Sequence, residues 1–307
     1  MKTQPTLHQL KLFERTAQLG SFSKAAEALH LTPPALSIQI RHLEDTLGTA
    51  LFDRIGRRKH LNAAGRELLT SCSIIFQELD DMKMRLSQLQ GGMAGTIRIS
   101  AVSSAKFFIP HLMGAFRQIY SGIRFQLSVA NRTQIVARLT DNQDDFVILS
   151  HLPSELSVHA EPFLSNPLVA IAAPSHPLAN EKTIDFNQLA KEEFLLREQG
   201  SGTRFSTEEL FSEHDASVRC AMELSSSEAI KQGVMAGLGV SILSRHCVWM
   251  ELQGKYLVEL PVQGFPQCKH WYAVSLKQKT LSPAAQTFIE YLSNNSEGMI
   301  KQLEGFY

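Results

Sequence analysis

The chain has no uninterrupted run of about 18 apolar residues, the least that a membrane-crossing helix needs, and Met1–Leu7 lacks the apolar stretch of a secretion signal. It is therefore expected in the cytoplasm, with no membrane partner. Cysteine is scarce too. Cys72, Cys220, Cys247 and Cys268 stand far apart without C-x-x-C spacing, which fits reduced structural thiols and argues against a disulfide framework or a metal site. No G-x-S-x-G elbow, Walker A loop, H-E-x-x-H or dinucleotide-binding fingerprint occurs, so an enzyme is disfavoured and no cofactor is expected. With 307 residues, 44% of them hydrophobic, the chain has room for two or three domains with real cores.

Charge is balanced overall, with 30 Lys and Arg against 30 Asp and Glu, but the balance is not local. Residues 1–66 hold 10 basic against 5 acidic residues, a net of +5; the remaining 241 hold 20 against 25, a net of −5. A cationic head on a neutral-to-acidic body is the electrostatic footprint of a nucleic-acid-binding module.

Within that head, Ser21–Leu51 reads as two short helices joined by a tight turn. Ser23 is a good N-cap for the first, and the small pair Ala25 and Ala26 lets a second helix cross closely. The second starts at Thr32, with Pro33 at the first helical position, where its missing N–H costs nothing. Leu36, Ile40, Leu43 and Leu47 form its buried stripe; Ser37, Gln39, Arg41 and His42 are left on the surface with the exposed Ile38. Leu51–Lys59 then reads as two extended segments about a Gly, a basic wing whose Arg54, Arg57 and Arg58 can reach phosphates or the minor groove while the helix enters the major groove. A helical hairpin with a solvated basic edge is the plainer alternative, and the segregated charge weighs against it.

Leu68, Cys72, Ile75, Leu79, Met82, Leu86 and Leu89 alternate spacings of four and three, a 3.5-residue repeat. Such a narrow stripe predicts a dimerising helix of roughly 40 Å at 1.5 Å per residue, the alternative being a helix lying on its own domain's core. The pattern stops at Gly91–Gly95, a predicted joint. Strand signals at Thr96–Val102, Arg124–Val129 and Asp145–Leu149 then alternate with helical ones at Phe107–Tyr120 and Gln134–Asn142, a parallel βαβαβ unit. A second set follows, with strands at Leu168–Ala172, Phe194–Leu196 and Val218–Leu224 and helices from Thr203 and over Ser227–Ala236; Tyr272–Leu276 and Ser282–Leu292 are expected to return to the first unit. Two lobes joined by two crossings resemble the periplasmic binding-protein architecture, which takes ligands in the crevice between lobes. Ser100–Lys106, Arg197–Arg204 and Leu224–Glu228 each lead a strand into a helix through small hydroxyl or Gly residues, so their free N–H groups could converge on an anion, although capping alone also explains them. Lys106, Arg204 and Arg132 are candidate cations there.

The motifs GSFSKAAEAL at Gly20–Leu29, TPPALSIQIRHLE at Thr32–Glu44, LFDRIGRR at Leu51–Arg58 and LNAAG at Leu61–Gly65 resemble the winged helix-turn-helix of LysR-type transcriptional regulators. The resemblance implies an α+β multidomain chain: a winged helix-turn-helix at 1–62, a linker helix at 63–92 and a two-lobed α/β effector-binding domain at 93–307, with one lobe over about 96–163 and 267–307 and the other over about 164–266. It adds Ser23, Thr32, Pro33 and Pro34 to Ser37, Gln39, Arg41 and the wing arginines as DNA-binding candidates, and assigns dimerisation to Leu68, Cys72, Ile75, Leu79, Met82 and Leu86. Pro33 and Ile38 depart from the family's usual Gln and Arg. The body is similar to the branch that regulates Calvin-cycle (RuBisCO) operons and inorganic-carbon uptake. That similarity implies a small anionic effector, with ribulose 1,5-bisphosphate, 2-phosphoglycolate or NADPH as first candidates, held by Ser100, Ser103, Ser104, Ala105, Lys106, Asn131, Ser150, Gly200, Ser201, Gly202, Thr203, Arg204 and Ser226. The partners implied are double-stranded operator DNA, further copies of the chain up to a tetramer, and RNA polymerase. A regulator of another pathway with a sulfur-oxyanion or carboxylate effector is the alternative; a solute-binding protein would leave the basic head unexplained.

Overall fold

The computed structural model describes residues 4–55, 58–89 and 93–305, apart from the side chains of Ile55, Arg58 and residues 87–89. Arg57 and the Gly91–Gly92 part of the predicted joint lie outside these residues, and Gly95 falls within a strand. The chain packs as two compact units, Met1–Lys83 with Asp141–Gln143, and Met84–Thr140 with Asp144–Tyr307.

The head contains helices α1 (Leu7–Leu19), α2 (Phe22–Ala28) and α3 (Pro33–Leu47), the hairpin β1 (Phe52–Ile55) and β2 (Arg58–Leu61), and the start of α4 (Ala63–Leu89). Thr6 and Gln9 form a capping box on α1, which ends at a left-handed Gly20. The chain turns so sharply there that Ser21, in extended conformation, caps α2 by accepting from the Lys24 N–H, and Ser23 lies inside the first turn instead of capping it. Thr32 and Pro33 open α3 as its sequence dictates. Leu36, Ile40 and Leu43 pack with Phe13, Ala25 and Ala26 in the head core, but Leu47 is 38% exposed, because α3 ends beside it at Gly48, past that core. Gly65 in α4 is required by packing, since a Cβ there would meet the carbonyl oxygen of Leu51.

The predicted heptad stripe divides. Leu68 and Cys72 join the head core together with Phe76, whereas Ile75, Met82 and Leu86 are 37%, 42% and 53% exposed and Leu79 is half-buried. The first part therefore serves the chain's own core.

The second unit is built from β3 (Ala94–Val102), α5 (Ile109–Ile119), β4 (Gly122–Ala130), α6 (Arg132–Thr140), β5 (Phe146–Leu149), β6 (Val158–Ala172), α7 (Phe186–Leu189), β7 (Glu193–Arg197), α8 (Gly202–Glu213), β8 (Arg219–Leu224), α9 (Ser227–Met235), β9 (Ser241–Ser244), α10 (Arg245–Gln253), β10 (Val258–Glu259), β11 (Gln267–Leu276) and α11 (Pro283–Gly305). β3 pairs in parallel with β4 and β5, and β11 closes this lobe antiparallel to β5. β6 and β11 run antiparallel along each other from Val158↔Leu276 to Leu168↔Gln267, and the far end of β6 pairs with β9 and β10, so these two strands are the crossings between lobes. In the second lobe β7 and β8 are parallel, and β7 meets Val240 just ahead of β9. The first lobe's core is aromatic, with Phe288 of α11 packed 4.8 Å from both Phe116 and Phe125. The second lobe buries Phe194, Phe211 and Leu210 on one side of its strands and Ile230, Val234 and Val248 on the other.

Candidate DNA-facing surface and effector cleft

On the head, α3 turns its core stripe inward and Pro33, Pro34, Ile38, Arg41 and His42 outward, with Ser37 and Gln39 half-buried between them. β1 and β2 form the expected two-stranded wing, in which Arg54 is paired in register with Lys59; Lys59 Nζ lies 4.1 Å from the Phe22 ring centroid, fastening the wing to α2. The Glu44 carboxylate accepts from the Leu51 N–H at 2.8 Å, which ties the end of α3 to the start of the wing. Thr32 caps α3 at its N-terminal end, and Ser23 is exposed in the first turn of α2. The head thus brings the predicted surface residues of α3 and the hairpin onto one small three-helix scaffold; Arg57 and the Arg58 side chain lie outside the described residues.

In the second unit, the cleft between lobes is built from three turns. β3 runs into a 3-10 turn, Ser103–Phe107, before α5, so the N-terminus of α5 is not directly presented. From the other lobe, the loop after β7 closes against the start of α6: the Thr133 N–H donates to the Gly200 carbonyl at 3.2 Å. Gly200 has φ +82°, and a Cβ there would lie 2.5 Å from Thr133 Oγ1, so this approach requires glycine. Gly202 faces Ser150 and Arg132, the nearest atoms being 3.9 Å from where its Cβ would stand. Arg132 is itself fixed by donating to the carbonyls of His151 and Leu152.

The central group is Arg197, at the end of β7 and 2% exposed. Its guanidinium donates to Ser103 of the facing lobe at 3.0 Å, to Ser227 at the start of α9 at 2.9 Å, and to both oxygens of Glu198 at 2.7 and 3.0 Å. One buried cation thereby links two turns and a helix start. Burial works to raise the pKa of Glu198, but the Arg197 hydrogen bonds and charge, helped by Asn131, outweigh it and hold the carboxyl below its ordinary range.

Several predicted ligand groups are already engaged. The fully buried Ser100 hydroxyl accepts from Arg138 Nε at 2.7 Å, which places it in a structural network with Asp144. Asn131 accepts from the Gln134 N–H and Ser226 from Glu228 and Ala229, so both cap helices. Arg204 is directed into its own lobe, toward Glu208, Glu223 and the Arg197 carbonyl. Lys106 is exposed, with its ammonium 5.0 Å from the Phe107 ring. Ser104 and Ala105 are buried, and Thr203 is half-buried in the first turn of α8. Ser201 is 4% exposed and precedes α8 without making a side-chain cap, which leaves its hydroxyl and the helix start available. The sequence did not single out Arg197, Glu198, Thr133 or Ser227; Arg197 was visible only as the first residue of a loop motif.

Burial pushes the Cys72 and Cys247 thiols up to about 12, so neither is a nucleophile at neutral pH. Among the described residues no cluster suited to a metal ion occurs, and no helix is long and apolar enough to cross a membrane.

Comparison with known proteins places these two units. Residues 7–66 match the family model of the bacterial regulatory helix-turn-helix protein, lysR family, and residues 90–297 that of the LysR substrate binding domain. The RuBisCO operon transcriptional regulator of Allochromatium vinosum is 43% identical over 294 residues, 96% of this chain and 97% of that protein. The HTH-type transcriptional activator CmpR of Synechocystis is 44% identical over 294 residues, again 96% of this chain and 97% of that protein. Among solved structures, the CcmR regulatory domain of Synechocystis PCC6803 in complex with 2-PG is 43% identical, covers 65% of this chain and 96% of its own, and superposes with a TM-score of 0.62. With a helix-turn-helix head, a two-lobed α/β body and matches of this length to both family models, the chain belongs to the LysR family of bacterial transcriptional regulators.

Proposed function

We propose that the protein controls carbon-fixation genes in response to a small phosphorylated metabolite, with 2-phosphoglycolate the first candidate. The observation that carries this reading is the 43% identity of its effector unit to a regulatory domain solved with 2-PG, together with the likeness to RuBisCO operon regulators along nearly the whole chain. The cleft supports it chemically. Ser103, Ser104, Ser201 and Thr203 offer hydroxyls, and Arg197 supplies a buried cation whose Ser103 bond an incoming anion can replace. Contacts of one ligand to both lobes would shift them toward the closed arrangement by the difference in affinity for the two. Titration calorimetry of the full-length protein with 2-phosphoglycolate, ribulose 1,5-bisphosphate and NADPH tests this: 2-phosphoglycolate is expected to bind, and Ser103→Ala or Thr203→Ala to weaken it at least tenfold. Binding of sulfite or a small carboxylate instead would favour the alternative reading.

The head, 1–62, is proposed to place α3 in the major groove, with Ser37, Gln39 and Arg41 on base edges and the wing arginines on the backbone. Replacing Arg57 and Arg58 with Ala should weaken binding to all duplexes and flatten its salt dependence by about one unit per lost phosphate contact. The linker, 63–92, is proposed to pair two copies through the part of its stripe that the head core does not use. Ile75, Met82 and Leu86 lose water only if a second surface covers them. Glu at Ile75 and Met82 should halve the mass measured by light scattering, and an unchanged mass would refute the pairing.

A further inference from the structure

We propose that Ile38 sets operator specificity by closing on the C5-methyl group of a thymine in the major groove, an inference that rests on the reading of α3 as the base-reading helix. The inner face of α3 is Leu36, Ile40 and Leu43, none more than 1% exposed. On its outer side the polar candidates Ser37 and Gln39 are half-buried, whereas Ile38 is 56% exposed and stands on the crest of the helix, one turn from Pro34 and one turn from Arg41. Ile38 lies in none of the hydrophobic clusters of the described residues, and Arg41 makes no ion pair among them.

A branched aliphatic side chain more than half exposed on the crest of a cationic surface gains little from packing in the free protein, so it fits a partner that brings an apolar group to that place. The major groove presents hydrogen-bonding groups from every base and an apolar methyl from thymine alone. A second copy of the head is the weaker occupant, since it would bring the same net charge of +5 against its own kind, whereas a duplex brings phosphates. Three residues separate Ile38 from Arg41, about 4.5 Å of helix rise. The duplex advances about 3.4 Å per base step, so Arg41 would meet a guanine one or two base pairs from that thymine.

The test uses the full-length protein to enrich duplexes from random-sequence DNA, after which each thymine of the enriched duplex is replaced singly by uracil, which pairs alike but lacks the methyl. Wild type is expected to lose about three- to fivefold in affinity at one thymine of each half-site, the size that one desolvated methyl group carries. Ile38→Ala should bind the thymine duplex about as weakly as wild type binds the uracil one and no longer tell the two apart; Ile38→Val should keep part of the discrimination. A flat uracil profile for wild type overturns the proposal, as does an Ile38→Ala protein that keeps the same penalty at the same thymine. An altered mass of Ile38→Ala by light scattering with an unaltered uracil profile would assign Ile38 to self-association and overturn it too. Failure to enrich any duplex would strike at the reading of α3 itself, a result distinct from all of these.

Discussion

The head and the effector unit use positive charge in opposite ways. On the head, Lys24, Arg41 and Lys59 are exposed, and Arg41 has no ion pair among the described residues. In the effector unit, Arg197 and Lys231 are 2% and 4% exposed and each is held by carboxylates, Arg197 by Glu198 and Lys231 by Glu228 and Glu251 at 2.8 and 2.7 Å. A cation left in water keeps its field available to a polyanion and contributes little to folding, whereas a buried one is tolerable only with its partners in place. The same residue types thus serve attraction at a distance in one unit and the joining of turns and helices in the other.

Removing Arg197 is the strongest way to break this contrast. Arg197→Ala strands Glu198 and unties Ser103 and Ser227, and should cost the effector unit about 3–5 kcal/mol, read as a fall in the urea midpoint. A loss under about 1 kcal/mol would mean that the buried network is incidental. Lys231→Met keeps the volume but leaves Glu251 uncompensated, with one of its oxygens already lacking a hydrogen-bond partner; a loss of about 2 kcal/mol is expected by the same measurement.

How far these features were legible in the sequence depends on how local their causes are. Thr32 and Pro33 announce α3 by chemistry that acts within one turn, and the structure starts the helix there. Ser21 and Ser23 are equivalent as caps in sequence, and only the left-handed Gly20 decides between them. The 15-residue β6 was read only at its end, Leu168–Ala172, because Pro162, Asn166 and Pro167 erase the strand pattern that pairing with β11 imposes. Cys72 satisfies a heptad equally well against a partner helix or against the Phe13 core, and periodicity cannot tell which. Arg197 was passed over because arginine is ordinarily exposed; its burial comes from three partners 1, 30 and 94 residues away. Fold class and motif placement were thus readable, while long-range polar partners were not.

Acid should sharpen the contrast at smaller amplitude. Arg197 overcomes burial to hold Glu198 below its ordinary value of 4.5, and the Lys231 hydrogen bond does the same for Glu228. A carboxyl lowered on folding binds its proton less readily in the folded state, so its stabilisation is complete above about pH 4.5 and is lost as pH falls through the lowered value. The unfolding midpoint of the effector unit should hold from pH 7 to 5 and drop below 4.5. Glu198→Gln should remove about 1 kcal/mol at neutral pH, the margin of a charged over a neutral hydrogen bond, and make the acid limb shallower. An identical acid limb in the variant would separate Glu198 from the stability of the cleft.

Arg41→Ala is expected to have the smallest effect on folding and so gives the sharpest form of the comparison. Its guanidinium is exposed and makes no ion pair among the described residues, so the folded chain loses no ion pair with it and the unfolding midpoint should not move measurably. Its loss should instead appear on DNA. If Arg41 grips a guanine edge with two hydrogen bonds, the variant should lose roughly tenfold in affinity for the selected duplex, and replacing that guanine with adenine should then cost little more. If it meets only phosphate, the loss would be similar for every sequence and would shrink as salt is raised. A shifted midpoint with intact discrimination would show that Arg41 supports the fold after all, and the division between exposed, partner-seeking cations and buried, paired ones would fail at the residue where it is most exposed to test.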